Sequence, residues 1–319
     1  MRILITGGYG FLGNHICENL KTKNINEIKN IDDDGDGYFR FHKKDFNIIY
    51  YNQCINLILK FKPDIIIHAA AKVGGIGSNK KYPADYFYEN LMMGVNIIHA
   101  CKNINIKKLI LVGTVCSYPK ITEVPFKEVN LWNGYPEETN AGYGMSKKAW
   151  LTQAISYNQQ YGLNFCYILL VNMYGPKDNF NEESSHVIPA LIKKFINAKQ
   201  KNLSHVEVWG TGNATREFLY VSDAAEGIVR CIDNYNSIEP INIGNGVEIT
   251  IKELSFMIKD IIEYNGNIIF NDNYPDGQPR RCLDISLSVN KLGKYATTNI
   301  YDGLKNTINW YLKTLNKEI

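Results

Sequence analysis

Arg2-Ile3-Leu4-Ile5-Thr6 runs straight into Gly7-Gly8-Tyr9-Gly10-Phe11-Leu12-Gly13, and this junction decides the fold. The first five residues read as a short apolar strand. Just past the glycines, His15-Ile16-Cys17-Glu18-Asn19-Leu20 carries apolar residues at helical spacing. Glycines at 7, 10 and 13, between a strand and a helix, suit a nucleotide site. The first permits a tight turn and the second lets the backbone approach a pyrophosphate. The third lets helix and strand pack closely, with the helix N-terminus facing the anion. A glycine-rich turn of purely structural use is the bland alternative, and the strand-turn-helix setting argues against it. Gly7, Gly10 and Gly13, with Phe11 and Leu12 between them, are the candidate cofactor-binding residues of this turn.

From that start, β-like runs alternate with helical ones. Strands are expected at 3–6, 28–32, 65–68, 109–112, 166–171 and 241–243, with helices at 53–61, 86–102 and 143–161. This alternation predicts an α/β protein built on a Rossmann-type doubly wound parallel sheet. After Asn172-Met173-Tyr174-Gly175-Pro176 the character changes. A polar loop reaches His186, a helix follows at 188–198, a strand at 206–209, and a Pro/Gly/Arg loop at 275–281. The expected division is 1–175 plus about 218–243 for the dinucleotide-binding domain. Residues 176–217 and 244–319 would form a smaller α/β substrate domain.

Composition narrows the function. With 35 basic against 32 acidic residues, the net charge of +3 is too mild to suggest nucleic acid or a membrane surface as partner. No apolar run is long enough to span a bilayer, and Met1 leads directly into the first strand, so no secretory leader is expected. The seven cysteines (17, 54, 101, 116, 166, 231, 282) are scattered without metal-type spacing. Reduced thiols, a cytoplasmic location and no bound metal follow as expectations.

Tyr143-Gly144-Met145-Ser146-Lys147 is the candidate reaction centre. Tyr and Lys four residues apart share one helix face and can approach the same substrate atom. A free phenol titrates near ~10, so it shuttles protons poorly at neutral pH. An adjacent ammonium and a cationic nicotinamide ring favour the phenolate, and a shift of ~3 units takes ~4 kcal/mol. On its own the pair is also compatible with an exposed Tyr beside a solvated Lys.

Several further motifs accompany it: Ala70-Ala71-Lys72-Val73-Gly74-Gly75-Ile76, Pro83-Ala84-Asp85, Cys116-Ser117-Tyr118-Pro119 and Tyr174-Gly175-Pro176-x-Asp178-Asn179-Phe180. Ser185-His186-Val187-Ile188-Pro189-Ala190-Leu191, Val208-Trp209-Gly210-x-Gly212-x-x-x-Arg216-Glu217-Phe218 and Pro275-Asp276-Gly277-x-Pro279-Arg280 complete the set. With these in place the chain resembles, nearly end to end, the extended short-chain dehydrogenase/reductase family. Within it the chain is most similar to the GDP-L-fucose synthases, which are GDP-4-keto-6-deoxymannose epimerase-reductases.

The resemblance implies a division of labour. Thr114 would hydrogen-bond the sugar carbonyl while Tyr143 protonates it and Lys147 holds the nicotinamide ribose. Cys116 and His186 would be acid and base for inversion at C3 and C5, carbons whose protons the C4 ketone acidifies. A thiol near ~8.5 and an imidazole near ~6.5 bracket neutral pH, which suits both tasks. Asn172, Val187, Lys194, Trp209, Arg216 and Arg281 would bind a GDP-linked 4-keto-6-deoxy sugar, Trp209 stacking on guanine and the arginines gripping phosphate. The family generally uses NADPH. Asp32, expected to follow the second strand, would instead suit the free 2′-hydroxyl of NADH, with Arg40, Lys43 and Lys44 able to compensate. Asp45 would contact adenine, and Ala70 would lie against the cofactor. A homodimer through a helix pair including 143–161 is a further family expectation. Two departures, Val115 before Cys116 and Leu170-Val171 before Asn172, are expected to lie beside the sugar and nicotinamide. They leave open a reductase without epimerisation, acting on a hexose or a 6-deoxy-4-keto heptose. A nucleotide-sugar 4-epimerase and a dinucleotide sensor without turnover are the rivals.

Overall fold

Ile3, Leu4 and Ile5 are fully buried, as strand residues covered on both faces of a parallel sheet must be. The structure is a computed structural model that describes residues 1–274 and 276–316. Pro275 of the Pro/Gly/Arg loop therefore lies outside the described residues. In chain order the first half comprises β1 (Arg2–Thr6), α1 (Phe11–Thr22), β2 (Gly37–Arg40), α2 (Tyr51–Phe61), β3 (Ile65–His68), α3 (Ile76–Lys81), α4 (Pro83–Cys101), β4 (Lys108–Val112), α5 (Ala141–Tyr161) and β5 (Phe165–Leu170). The second half follows with β6 (Asn172–Tyr174), α6 (Val187–Gln200), β7 (His205–Trp209), β8 (Thr215–Tyr220), α7 (Val221–Asn234), β9 (Ile241–Ile243), β10 (Glu248–Thr250), α8 (Ile251–Ile262), β11 (Asn267–Asn271), α9 (Ser286–Leu292) and α10 (Ile300–Leu315).

Six strands form one parallel sheet in the order β2-β1-β3-β4-β5-β9. The order reverses at β1, so the glycine turn at its carboxyl end opens at the topological switch point, where α/β sheets bind ligands. A second sheet runs β10-β8-β6, and β11 pairs in parallel with β7. Two apolar cores serve them. One lies against the six-stranded sheet; the other joins Tyr174, Ile192, Phe195, Phe218, Leu254 and Leu304. Phe180 and Tyr311 stack at 3.9 Å against the second core. Helix α8 starts on a capping box, in which Glu253 N–H donates to Thr250 Oγ1 and Thr250 N–H donates to the Glu253 carboxylate. Such a cap satisfies two end groups at once.

The second strand is a correction to the sequence expectation. Residues 28–32 do not form it; Gly37–Arg40 does, in register Arg2↔Gly37 through Ile5↔Arg40. Tyr38 and Phe39 are the buried residues this register demands. The 26–28 stretch runs along the outside of Tyr38 through a single bridge, Glu27↔Tyr38, with Ile28 N–H donating to Tyr38 O. Among the described residues no helix is long and apolar enough to cross a membrane.

Candidate active site

Close approach shapes the glycine turn. Gly7 has φ +70°, and a Cβ there would stand 2.8 Å from the Ala70 backbone; a Cβ on Gly13 would fall 2.1 Å from Gly7 O. Thr6 Oγ1 accepts from Ala70 N–H at 3.2 Å, tying the ends of β1 and β3 together. Helix α1 begins at Gly10–Phe11 with no side chain capping it, so its first N–H groups face outward for an anion. Phe11 and Leu12 sit in that first turn. His15 Nε2 bonds Pro176 O at 3.0 Å, which holds the loop after β6 beside this helix.

Asp32 does not stand at this rim. Its carboxylate pairs with Lys60 at 3.1 Å, in the last turn of α2, while Arg2 at the start of β1 donates to the neighbouring carbonyls of Asp33 and Gly35. That is the amino-terminal edge of the sheet, a strand's length from the glycines. The error follows from the misplaced strand: the true β2 ends on Arg40. Arg40 donates to Gly8 O at 3.2 Å and lies 4.1 Å over Tyr9, whose ring stacks on His42 at 3.9 Å. Asp45 closes the following turn by accepting from His42 N–H at 3.2 Å, while Lys43 turns away to Glu89. The side chain at the carboxyl end of β2, beside the glycine turn, is thus Arg40, itself paired with the Glu27 carboxylate at 2.8 Å.

Four of the five proposed catalytic residues, Thr114, Cys116, Tyr143 and Lys147, lie together at the carboxyl end of β4 and the first turns of α5, and among the described residues no bond or contact ties His186 to them. Burial pushes the Tyr143 phenol above the ordinary value and the nearby Cys116 adds to this, while the neighbouring Thr114 hydroxyl opposes it. Thr114 Oγ1 also accepts from Cys116 N–H at 3.2 Å, setting the turn that carries the thiol. Lys147 is 1% exposed, and its Nζ lies 5.9 Å from the Tyr143 ring centroid and donates to Val112 O at 3.0 Å. Burial holds this amine well below its ordinary range. A cavity of about 310 Å³, lined in part by Asn79, Pro83, Tyr86 and Thr139, opens beside Tyr143.

From the other side come the arginines. Arg281 Nη1 donates to Cys116 Sγ at 3.6 Å and its Nε to Gln278 Oε1 at 3.1 Å. Arg216 donates to Thr215 O and Asp276 O. Burial, and then the like charge of Arg281, pull Arg216 down to about 10, so it stays charged at neutral pH. Glu217 was missed as an organiser of this side. Its fully buried carboxylate accepts from the N–H groups of Asn245, Gly246 and Leu283, fixing the two loops that flank the arginines. An acidic residue abutting the apolar half of β8 (Glu217-Phe218-Leu219), directly after Arg216, was the available signal.

His186 precedes α6 as its N-terminal flanking residue, and the carbonyl of nearby Ser184 accepts from Gly75 N–H at 3.0 Å. Its surface is exposed, while the protein packed around it lowers its imidazole below the ordinary value by desolvation. Val187 packs on the second core. Asn172 Nδ2 donates to Glu217 O at 3.4 Å. Lys194 donates to Glu207 O at 3.0 Å and lies 4.8 Å over Trp209. Trp209 is 59% exposed and already stacks on Tyr274 at 4.5 Å, a second aromatic that the sequence reading did not single out. The departures Val115, Leu170 and Val171 do not line the cleft as expected: all three are buried in the first core.

Residues 3–244 match the family described as NAD dependent epimerase/dehydratase. The chain is 35% identical over 322 residues to the GDP-L-fucose synthase of Escherichia coli K12, covering 98% of this chain and 97% of that one. Among solved structures it resembles a GDP-6-OMe-4-keto-L-xylo-heptose reductase from C. jejuni (TM-score 0.89, 29% identity, 98% of each chain). A GDP-mannoheptose C4 reductase from Campylobacter jejuni with NADP bound is similar at TM-score 0.85, 29% identity and 98% of each chain. On the shared glycine turn, parallel sheet and end-to-end likeness, the chain belongs to the NAD dependent epimerase/dehydratase family.

Proposed function

We propose that this protein is an NADPH-dependent reductase of the C4 ketone of a GDP-4-keto-6-deoxy sugar, hexose or heptose, that also inverts C3 and C5. The observation that carries it is the single cluster joining Tyr143, Thr114, Cys116 and Arg281 beside the buried Lys147. The residues fit a dinucleotide: Gly7 and Gly13 leave a backbone cradle that a Cβ would fill, and α1 presents uncapped N–H groups. Arg40 suits the 2′-phosphate of NADPH, so the Asp32 argument for NADH falls away. When bound, the dihydronicotinamide supplies a hydride to C4.

Thr114 orients the ketone oxygen and Tyr143 gives it a proton. Burial, with Cys116 and Tyr86 nearby, raises the phenol, so the ammonium of Lys147 must offset it. Arg216 and Arg281 hold the diphosphate, and Trp209 meets the guanine from an exposed face. Cys116 and His186 exchange protons with C3 and C5 on opposite faces of the sugar. The buried positions of Val115, Leu170 and Val171 favour this reading over a plain reductase, because none of the three reshapes the cleft. The protein works in the cytoplasm as a homodimer, its dinucleotide domain comprising 1–175 and about 218–243, its substrate domain the rest.

Purified protein with NADPH and either GDP-4-keto-6-deoxymannose or its heptose counterpart should oxidise the cofactor. No oxidation with either ketone refutes the proposal. Solvent deuterium at C3 and C5 of the product separates epimerase-reductase from plain reductase.

A further inference from the structure

Among the described residues no carboxylate pairs with the buried Lys147. Its Nζ has three protons to donate, yet the described residues offer it one acceptor, Val112 O, and the face of Trp150 at 3.7 Å from the ring centroid. Lys147 and Trp150 are three residues apart on α5, so they share a helix face. Burial is the sole influence that moves this amine, and it acts against the charged form.

The indole is itself held from several sides. Its Nε1–H donates to Asn90 O at 3.1 Å and to Leu91 O at 3.2 Å on α4. Gly94 of α4 lies against the ring: a Cβ there would stand 2.0 Å from Trp150 Cε2, so any other residue at 94 pushes the indole off its seat. The His68 ring meets it at 4.7 Å and is anchored by Thr6 Oγ1 at 2.7 Å. Trp150 is 0% exposed. So large a side chain fixed by two carbonyls, a glycine and a histidine has one orientation.

We propose that Trp150 is a positioning residue, whose indole face both seats the Lys147 ammonium and serves as its counter-charge, setting the pH range over which that ammonium assists Tyr143. This rests on the reading of Lys147 as the partner of Tyr143. The titratable groups around Lys147 are His68 from β3, Tyr143 on its own helix, and Tyr167 from β5, whose hydroxyl donates to Lys147 O at 2.9 Å; Cys116 lies beyond Tyr143. His68, Tyr143 and Tyr167 carry no negative charge at neutral pH. Burial, and then the nearby Lys147, hold His68 neutral. The negative potential at Nζ therefore comes from one carbonyl, the indole face at 3.7 Å and, more distantly, the Tyr143 ring at 5.9 Å. A desolvated indole is the strongest aromatic partner for a cation.

The test follows the titration of Lys147 directly, by ¹⁵N NMR of labelled lysine with the resonance assigned by its loss in Lys147→Met. The kcat pH profile for GDP-4-keto-6-deoxymannose and NADPH is recorded alongside. In Trp150→Leu the Lys147 midpoint should fall by about one pH unit, with the alkaline limb of kcat moving by the same amount; Trp150→Phe should lie between Leu and the parent. Where the Leu variant does not fold, 5-fluoro- and difluorotryptophan are incorporated instead. Fluorine drains the ring face at nearly constant shape, so the midpoint should fall in step with fluorine number, and should not move when the same labels enter Trp150→Phe. An unmoved Lys147 midpoint in the folded Leu variant or in the difluoro protein overturns the proposal. A midpoint that moves while the kcat limb stays put supports the seat, and shows instead that Lys147 is not the partner of Tyr143.

Discussion

Arg281 donates to the thiol of Cys116 across 3.6 Å, joining two residues that lie 165 positions apart in the chain. The arginine expected on the nucleotide's phosphates thus touches the group expected to work on the sugar ring. Diphosphate and pyranose are adjacent in a nucleotide sugar, so one guanidinium at their junction can hold the first while bordering the second.

Arg281→Ala should weaken GDP binding by about 10- to 100-fold in calorimetry, as loss of a charge-assisted contact to phosphate does. Unchanged affinity would place Arg281 on the thiol alone.

Cys116→Ser should leave NADPH oxidation measurable while solvent deuterium at C3 and C5 of the product falls at least about tenfold. Retained deuterium and unaltered product stereochemistry would remove Cys116 from the proton transfers.

Tyr143→Phe should lower kcat by about 10²- to 10⁴-fold, the range for loss of a positioned proton donor, with GDP affinity unchanged. The phenol hydroxyl is the group at stake, since ring and helix contacts survive the change. Parent-level turnover in this variant would require another proton source.

Arg40→Ala should raise the KM for NADPH by about tenfold or more and change that for NADH little, because the 2′-phosphate is what distinguishes the two. Asp32→Ala should alter neither, given its place at the opposite edge of the sheet. A change in NADH affinity on altering Asp32 would reverse the assignment of this rim.

Acid should destabilise the fold through His68. Burial holds its imidazole well below the ordinary value, so below about pH 6.5 the unfolded chain binds a proton that the folded chain does not. Stability then falls as pH falls, by up to about 1.4 kcal/mol per pH unit for this group until the folded protein also takes the proton. His15, His99 and His186 are lowered in the same direction. Urea unfolding at pH 7.5 and 5.5 should show a smaller loss in His68→Gln than in the parent; equal losses would mean that His68 takes its proton in the folded protein.

Much of the scaffold could be read in advance because its signals are local. Strand β1, the glycine turn and α1 follow one another within 22 residues, and their spacing carries their geometry. Helix α5 and its Tyr143–Lys147 face come from a single periodic stretch. The reading failed where a choice depended on pairing. Residues 28–32 and 37–40 are both apolar enough for an edge strand, and only the register Arg2↔Gly37 selects the second. Val115 and Val171 looked like cleft residues because they adjoin cleft residues in sequence, yet they turn into the core.

The chain's own order of residues determined a dinucleotide turn, a parallel α/β sheet and a phenol-ammonium pair, since each is written within one strand, one turn or one helix. Tertiary structure alone decided that Arg40 rather than Asp32 lies beside the glycine turn, that Arg281 meets Cys116, and that an indole fixed by Gly94 lies beneath Lys147. Those outcomes depend on sheet register and on the packing of distant elements, and no local spacing encodes which far-off side chain fills a given space.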